Sequence, residues 1–233
     1  MAEHREKSDY STLKRPPYRS LTDIAYGVLL EAIINQDFQP GAQIGIDSLA
    51  RQLNMSNTPV REALMRVHGE GLVTQKTNHG FVVSEILTAD ECRQLFEVRH
   101  LLEVHAVSIG KSTPDFVGKI AELVDRMRAT GGGTVYHDYH EFMTLDHQFH
   151  QTLVGSAHNP FLLDSWESLH VHLHLSRLYT GIGLFDREDT TKEHQAIVEA
   201  LQQGDNHAAA HLLGHHVKRV GQSMQSFLQQ KQK

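Results

Sequence analysis

The stretch "IDSLARQLNMSNTPVREALMRVHGEGLV", Ile46 to Val73, holds two helical patterns separated by the break "NMSNTP". Pro59 suits the first position of a helix, where the amide hydrogen that proline lacks would have no partner in any case. Ser56, Asn57 and Thr58 precede it and are candidate caps for that helix. We therefore predict two short helices joined by a tight turn, with the second helix beginning near Pro59.

The sequence on either side of this stretch completes a recognisable order of elements. Upstream, apolar residues recur at helical spacing from Leu21 to Ile33, and residues 1–18 are predicted to be a flexible polar arm. Downstream, "LVTQKTNHGFVVSEI" predicts two short strands around a turn at Asn78-His79-Gly80. Helix, short helix, turn, helix and hairpin form the order of a winged helix-turn-helix. Residues 19–85 are therefore predicted to be a small domain with a β-hairpin wing.

The start of the second helix of this pair has the chemistry needed to read a DNA duplex. A helix N-terminus offers free amide hydrogens and a partial positive charge to phosphate, and a helix fits the major groove. An arginine one turn into the helix reaches a phosphate or a guanine edge, and the hairpin tip can touch the neighbouring groove. The alternative is a small core with a polar end, since helix-turn-helix spacing alone is a weak signal. The candidate DNA-binding residues are Ser56, Asn57, Thr58, Arg61, His79 and Gly80.

The chain after residue 87 is predicted to be helical throughout. Thr88-x-x-Glu91 is a capping-box pattern that opens the first of these helices. The fold class is therefore mainly α, with an all-helical bundle following the winged helix-turn-helix. The other predicted helices include one from about Tyr139 to Ser156, one from Pro160 that holds Trp166 and Leu173, and one capped by Thr190-x-x-Glu193.

Composition limits the classes of protein that the chain can represent. Its 233 residues carry 22 basic and 28 acidic side chains, and a net charge of −6 argues against nonspecific coating of nucleic acid. A single cysteine, Cys92, excludes an intrachain disulfide and fits a reducing cytoplasm. No segment resembles a signal peptide or is long and apolar enough to span a membrane. A cytoplasmic protein with no membrane partner is expected.

The chain contains 18 histidines, and their placement indicates a metal site. Four polar residues lie on the apolar stripes of three predicted helices: Asp146 and His150 on one, His194 on the second and His216 on the third. An unpartnered polar group buried there would cost about 1–3 kcal/mol. One carboxylate with three imidazoles suits one divalent transition metal, with Zn first and Ni or Mn as alternatives. The competing interpretation is that each is an isolated core residue with a backbone or Asp146 partner.

Other polar residues receive different interpretations. His207, His211 and His215 form an i, i+4, i+8 row that continues into polar positions, so they are predicted to face solvent. Arg99 lies with apolar neighbours, and its planar guanidinium suits the carboxylate of a small effector. A structural ion pair with an internal acid is the equal alternative for Arg99.

The N-terminal blocks resemble the GntR family of bacterial transcription regulators over about residues 20–84. This resemblance implies DNA contacts from Ser56, Thr58, Arg61, His79 and Gly80. The chain departs from the family where Asn57 replaces a usual arginine and where Asp47 stands in place of a basic or longer acidic residue, so its sequence preference is expected to differ. The blocks that carry the resemblance are Pro40-Gly41, Leu49-Ala50, Leu53, Thr58 to Leu64, and Glu70 to Val73.

The C-terminal part resembles the FCD domain, the helical effector-binding domain of FadR-type GntR regulators. The resemblance implies a bundle of six or seven helices over residues 88–230, a central cavity, and a homodimer. In its metal-binding members an aspartate and three histidines hold the ion, and these match Asp146, His150, His194 and His216. The matching residues are Glu97-Val98-Arg99 with Glu103, Asp146-x-x-Phe149-His150, Asn159-Pro160, Glu193-His194, Gly204-Asp205 and His216.

Together these features predict a metabolite-responsive bacterial transcription regulator, with repression expected first. Its partners would be double-stranded operator DNA, a small organic acid bound through Arg99 and the metal, and a second copy of the chain. Two alternatives remain open: a metal-dependent enzyme built on the helical domain, and a regulator whose pocket binds an anion without metal. Since no motif such as HExxH supplies a catalytic base, the chain is not expected to be an enzyme.

Overall fold

The computed structural model of the chain describes residues 19–76, 80–180, 183 and 186–231. The predicted arm at residues 1–18 and the predicted wing residue His79 lie outside this described part. Within it the chain is mainly helical, with ten helices and one small antiparallel sheet, as the sequence predicts.

The N-terminal part has the predicted winged helix-turn-helix order with one added strand. Its sheet has the order β1-β3-β2, and β3 pairs antiparallel with both neighbours. The unpredicted strand β1 is only two residues long, too short for a recognisable alternation of apolar residues. The elements are α1 (Leu21–Ile34), β1 (Gln43–Ile44), α2 (Ile46–Gln52), α3 (Asn57–Gly69), β2 (Val73–Lys76) and β3 (Gly80–Val83).

The helix ends of this part follow local hydrogen bonding, with one difference from expectation. Ser20 and Asp23 form a capping box that starts α1. Ser56 occupies the N-cap of α3 as predicted, but its side chain makes no capping hydrogen bond, and Asn57 already belongs to the helix. The Asn57 side-chain amide instead donates a hydrogen bond to Asp47 of α2.

The described residues of the C-terminal part form a bundle of seven helices, which agrees with the predicted six or seven. α4 and α10 pack closely because two glycines of α10 leave room for α4 side chains. A Cβ at Gly214 would lie 2.9 Å from His100, and one at Gly221 would lie 2.8 Å from Phe96. The helices are α4 (Ala89–Ile109), α5 (Pro114–Ala129), α6 (Tyr136–Gly155), α7 (Pro160–Glu167), α8 (Val171–Tyr179), α9 (Arg187–Gln202) and α10 (Asn206–Lys231).

Two helix predictions in this part are wrong. The single helix expected from Pro160 through Leu173 is two helices, because His170 adopts a left-handed conformation with φ of 45° between α7 and α8. The expected cap at Thr190 lies inside α9, which begins three residues earlier at Arg187. The Thr190 hydroxyl instead accepts a hydrogen bond from Arg219. The Thr88–Glu91 capping box is present as predicted.

Helix α8 lies between the two hydrophobic cores. Leu173 packs in the core of the N-terminal part, whereas Leu175 belongs to the core of the helical bundle. Arg177 donates to the backbone carbonyls of Ser84 at 2.7 Å and of Glu85 at 3.1 Å. The Thr180 hydroxyl, just past the end of α8, donates to the Ile34 carbonyl at 2.7 Å. This helix therefore joins the bundle to both α1 and the segment that follows β3.

Candidate functional sites

Three helices bring four predicted residues together in the bundle core. Asp146 and His150 come from α6, His194 from α9, and His216 from α10, and all four are buried. The Nε2 atoms of His194 and His216 are 3.3 Å apart. Asp146 Oδ1 lies 3.7 Å from His194 Nε2 and 3.9 Å from His150 Nε2. The three histidines each offer a nitrogen within 4.8 Å of the others.

The helical spacing of α6 explains half of this cluster. Asp146 and His150 are four residues apart, so they lie one above the other on the same face of the helix. Phe149 also points into the core, and its ring stacks on His194 with centroids 4.0 Å apart. The aromatic contact holds the His194 ring beside the two α6 side chains.

Two glutamates orient two of the imidazoles from outside the cluster. His150 Nδ1 lies 2.8 Å from Glu103 Oε2, and His216 Nδ1 lies 2.7 Å from Glu193 Oε2. A carboxylate on Nδ1 holds the proton there and leaves Nε2 with a free lone pair directed away from it. Metal-binding histidines in proteins usually have such a partner. Neither glutamate is predicted from the sequence to orient an imidazole.

Glu103 is the centre of a buried network. It accepts hydrogen bonds from Arg99 Nε and from Trp166 Nε1, both at 2.7 Å, in addition to its contact with His150. Burial raises the pKa of Glu103, but Arg99 and His150 outweigh that effect and hold the pKa well below its usual range. The glutamate is therefore ionised, and Arg99 forms the internal ion pair that was the alternative to effector binding.

Burial also sets the charge of the four clustered residues. It lowers the pKa of His150, His194 and His216, so these imidazoles are neutral at pH 7, the form that binds metals. Burial raises the pKa of Asp146 to about 6, against the opposing effects of Arg99 and His216. Three neutral nitrogens and one carboxylate oxygen make a donor set that suits a divalent transition metal.

Unpartnered nitrogens support the same conclusion. Among the described residues, His150 Nε2 and His194 Nδ1 are buried and have no hydrogen-bond partner. A cation between the Nε2 atoms would satisfy His150 and relieve the cost of burying it. His194 has no outer carboxylate in the described part of the chain, so its ring is positioned by packing rather than by a hydrogen bond.

A small cavity lies beside the cluster. Its volume is about 10 Å³, enough for one water molecule or ion, and its lining includes Arg99, Asp146, Tyr179 and His216. The Tyr179 hydroxyl donates to Asp186 at 2.9 Å. The cavity therefore touches both the four-residue cluster and the last residue of α8.

Ion pairs connect this cavity wall back to His216. Arg219 lies 3.5 Å from Asp186 and donates to Glu193 at 2.6 Å. Glu193 in turn contacts His216 Nδ1. A continuous path of polar contacts therefore runs from the imidazole cluster to Tyr179.

The predicted DNA-binding residues of α3 are exposed at one end of that helix. Ser56, Asn57, Thr58 and Arg61 all lie within its N-cap and first turn or just beyond it. Gly80 opens β3 with φ of 71°, a conformation that favours glycine. The structure therefore groups the α3 residues and places Gly80 opposite Lys76, at the end of the β2–β3 ladder farthest from the Val73–Val83 pair.

The exposed histidine row is separate from the buried cluster. His207, His211 and His215 lie on the solvent side of α10, as predicted. The Nε2 atoms of His211 and His215 are 3.3 Å apart.

Comparisons with known families match both parts of the chain. Residues 21–83 match the model described as bacterial regulatory proteins of the gntR family, and residues 94–219 match the FCD domain. In the described part of the chain, no helix combines the length and apolar character needed to cross a lipid bilayer.

Similar proteins are transcription regulators, not enzymes. The chain is 28% identical over 194 residues to the HTH-type regulator YdhC of Bacillus subtilis, covering 82% of this chain and 85% of that protein. It is 30% identical over 181 residues to a probable D-xylose utilization operon repressor of Paenarthrobacter nicotinovorans, covering 76% of each.

Among solved structures, the fold is similar to that of Escherichia coli McbR/YncC, with a TM-score of 0.69 at 23% identity over 93% of this chain and 100% of that one. The winged helix-turn-helix, the helical bundle and the two family matches agree with each other along the chain. The chain is a transcription regulator of the GntR family, in the group whose C-terminal part is an FCD domain.

Proposed function

We propose that this regulator is a repressor that responds to a small organic acid through a metal in its helical domain. The observation that carries the proposal is the convergence of His150, His194 and His216 in a buried space, with Asp146 within 4 Å of two of them and glutamates behind two of the imidazoles. Repressors among the similar proteins, including a gluconate operon repressor of Bacillus licheniformis, support the direction of control.

The metal would be one divalent ion per chain, with zinc favoured and nickel or manganese as alternatives. Neutral imidazoles and a carboxylate supply four ligands, and Glu103 and Glu193 hold two of the rings in the binding tautomer. Such an ion would supply Lewis acidity toward a carboxylate oxygen of the effector.

The effector would enter the small cavity beside the metal. Arg99 lines that cavity and carries the positive charge that a carboxylate requires, although its Nε is already bonded to Glu103. Because the cavity has room for only a water-sized group, an organic acid must displace the lining side chains, which include Tyr179 and Thr190. Binding would therefore change the structure around α8.

Helix α8 would carry that change to the DNA-binding part. Tyr179 at its end faces the cavity, and Arg177 two residues earlier holds the carbonyls of Ser84 and Glu85. The effector alters DNA affinity only to the extent that it binds the two arrangements of these parts with different affinity.

DNA binding would occur through residues 19–85, and sensing through residues 88–230. A homodimer would place two recognition helices on a pseudo-palindromic operator in a bacterial cytoplasm. Helix α4 exposes apolar side chains, among them Val98 and Leu101, which supports the proposal that a second copy of the chain covers this surface. The proposed DNA contacts are Ser56, Asn57, Thr58, Arg61, His79 and Gly80.

The proposal is tested with the full chain, purified without a nickel column. Elemental analysis should find one transition metal per chain, and operators selected from random DNA should release the protein when the right organic acid is added. A protein that responds to the acid but contains no metal would favour direct anion binding through Arg99. A protein with metal but no acid response would remove the sensing role.

The DNA-binding half has its own variant test. Arg61→Ala should weaken operator binding about tenfold or more while the melting temperature is unchanged. Arg93→Ala is the matched control, because Arg93 is an exposed arginine of α4 that pairs with Asp90 and Glu97. Unchanged affinity of the Arg61 variant would remove this residue from the interface.

A further inference from the structure

The two helices of the helix-turn-helix are linked by an exposed hydrogen bond at their starting ends. Asn57 is the first residue of α3, Asp47 lies in the first turn of α2, and Asn57 Nδ2 donates to Asp47 Oδ1 at 2.6 Å. Both residues are exposed, and Arg61 follows one turn along α3. This pair therefore lies on the end of α3 that meets the major groove when the domain binds DNA.

The hydrogen bond decides which atoms the pair presents. A carboxylate only accepts hydrogen bonds, so the Asn57 nitrogen must face Asp47 and the Asn57 oxygen must face elsewhere. The pair then presents the Asn57 oxygen, the second Asp47 oxygen, one remaining amide hydrogen and a net negative charge. Its surface is dominated by acceptors.

Base edges in the major groove differ in the groups that complement such a surface. Cytosine offers its N4 amino group and adenine its N6 amino group as donors, whereas guanine presents only the N7 and O6 acceptors and thymine presents O4 and a methyl group. A guanine opposite the pair would place acceptors against acceptors. An amino group opposite the pair would donate to it.

We propose that Asp47 and Asn57 act as one base-discriminating unit that selects cytosine or adenine at one operator position and rejects guanine. The proposal rests on the proposed contact of α3 with operator DNA. It adds Asp47, a residue outside the set of predicted contacts, and it states the chemistry of the base edge that the protein recognises.

The position of Asp47 explains why the pair affects discrimination more than affinity. A carboxylate that approaches DNA is repelled by phosphates whatever the sequence is. Only a base with an amino group compensates for that repulsion by donating to the pair, so binding to other sequences is weakened selectively. The competing explanation is that Asp47 only stabilises α2 through the helix dipole and tethers α3.

The experiment uses the full chain and the best operator that it selects from random DNA. Each operator position is then replaced by all four bases, and dissociation constants are measured at one fixed salt concentration. We expect one position in each half-site where cytosine or adenine is preferred to guanine by about tenfold or more.

Two Asp47 variants and a matched control separate the explanations. Asp47→Ala and Asp47→Asn should bind the guanine-containing sequence more tightly than the unchanged protein does, so the discrimination at that position falls. Asp37→Ala removes one exposed acid from the same domain outside the helix-turn-helix and should leave the discrimination unchanged. Melting temperatures identify any variant that is merely less stable, and Asp47→Asn keeps the shape of the side chain.

Each result has a distinct meaning. An Asp47→Ala protein that keeps the same base preference overturns the proposal, as does an equal gain in affinity for every sequence. A chain that selects no operator at all would overturn the proposed DNA-reading function instead. A loss of discrimination confined to one position per half-site supports the pair.

Discussion

Two pairs of histidines in this chain have the same nitrogen separation in opposite surroundings. The Nε2 atoms of His194 and His216 are 3.3 Å apart in the bundle core, and those of His211 and His215 are 3.3 Å apart on the surface of α10. Among the residues that the structure describes, only the buried pair has a third imidazole and a carboxylate close to it. Separation between nitrogens is therefore a poor guide to a specific metal site.

Burial and outer carboxylates make the difference between the two pairs. In the core, the imidazoles are shielded from bulk water, which would otherwise hydrogen-bond to their nitrogens. Glu103 and Glu193 hold two of the rings in one tautomer. On the surface, water solvates the rings and the side chains are free to rotate. We expect the buried cluster to hold one ion tightly, whereas ions at the surface row exchange readily.

The largest effect is expected from removing two buried ligands. The double variant His150→Ala and His194→Ala should lose the stoichiometric metal completely, and its melting temperature should fall by about 10 °C because it loses the stabilisation that a tight ligand provides. Elemental analysis and calorimetry measure both effects. Treating the unchanged protein with a chelator should reproduce most of the loss of stability, and a double variant that retained one metal per chain would refute the site.

An intermediate effect is expected from an outer carboxylate. Glu193→Gln keeps the shape of the side chain but weakens its hold on His216, so metal affinity should fall about 10- to 100-fold. Competition with a chromophoric chelator measures the affinity. Glu188→Gln is the matched control on the same helix, where the glutamate is exposed and pairs with Lys192. Equal affinities of the two variants would show that orientation by Glu193 is unimportant.

A pH effect of similar or smaller size is expected at Asp146. Burial raises its pKa to about 6, so protons and metal compete for its oxygens as the pH falls below that value. Burial lowers the pKa of the three histidines, so the imidazoles are already neutral at pH 7. Metal affinity should therefore be highest above pH 6 and fall about tenfold per pH unit below it.

Asp146→Asn provides the control for that pH profile. The variant should bind metal more weakly at pH 7, and its affinity should vary less between pH 7 and pH 5. Metal titrations at several pH values test this. An unchanged slope in the variant would assign the titrating group to another residue.

The smallest effect is expected at the surface row. Replacing His207, His211 and His215 together by glutamine should leave the tightly bound metal in place and change the free energy of unfolding by less than about 1 kcal/mol. Elemental analysis after dialysis against a weak chelator measures the retained metal. Loss of the tightly bound ion from this triple variant would show that the surface row, and not the buried cluster, holds the metal.

The sequence predicted most of the fold and the inward-facing members of the cluster. Helical spacing alone determines which side chains share a face of a helix. Each of the four clustered residues lies on an apolar stripe and could therefore be identified: Asp146, His150, His194 and His216. The winged helix-turn-helix followed from Pro59 and the hairpin pattern in the same way. Local periodicity was sufficient for these features.

The features that escaped prediction depend on contacts between distant parts of the chain. Glu103 and Glu193 have no local pattern that distinguishes an outer carboxylate from an ordinary surface glutamate, and Thr190 and Glu193 imitate a capping box within α9. The sequence predicts one helix across α7 and α8, because no local pattern marks the left-handed conformation of His170 between them. The hydrogen bond between Asn57 and Asp47 joins two helices, so no local sequence pattern predicts it.

One consequence of the position of α8 concerns how the protein melts. Leu173 is anchored in one core while Leu175 and Leu178 are anchored in the other, so neither core can come apart without disturbing the same short helix. A heated sample should therefore show a single calorimetric peak. An ion that protects the bundle from heat would then shield the distant wing as well.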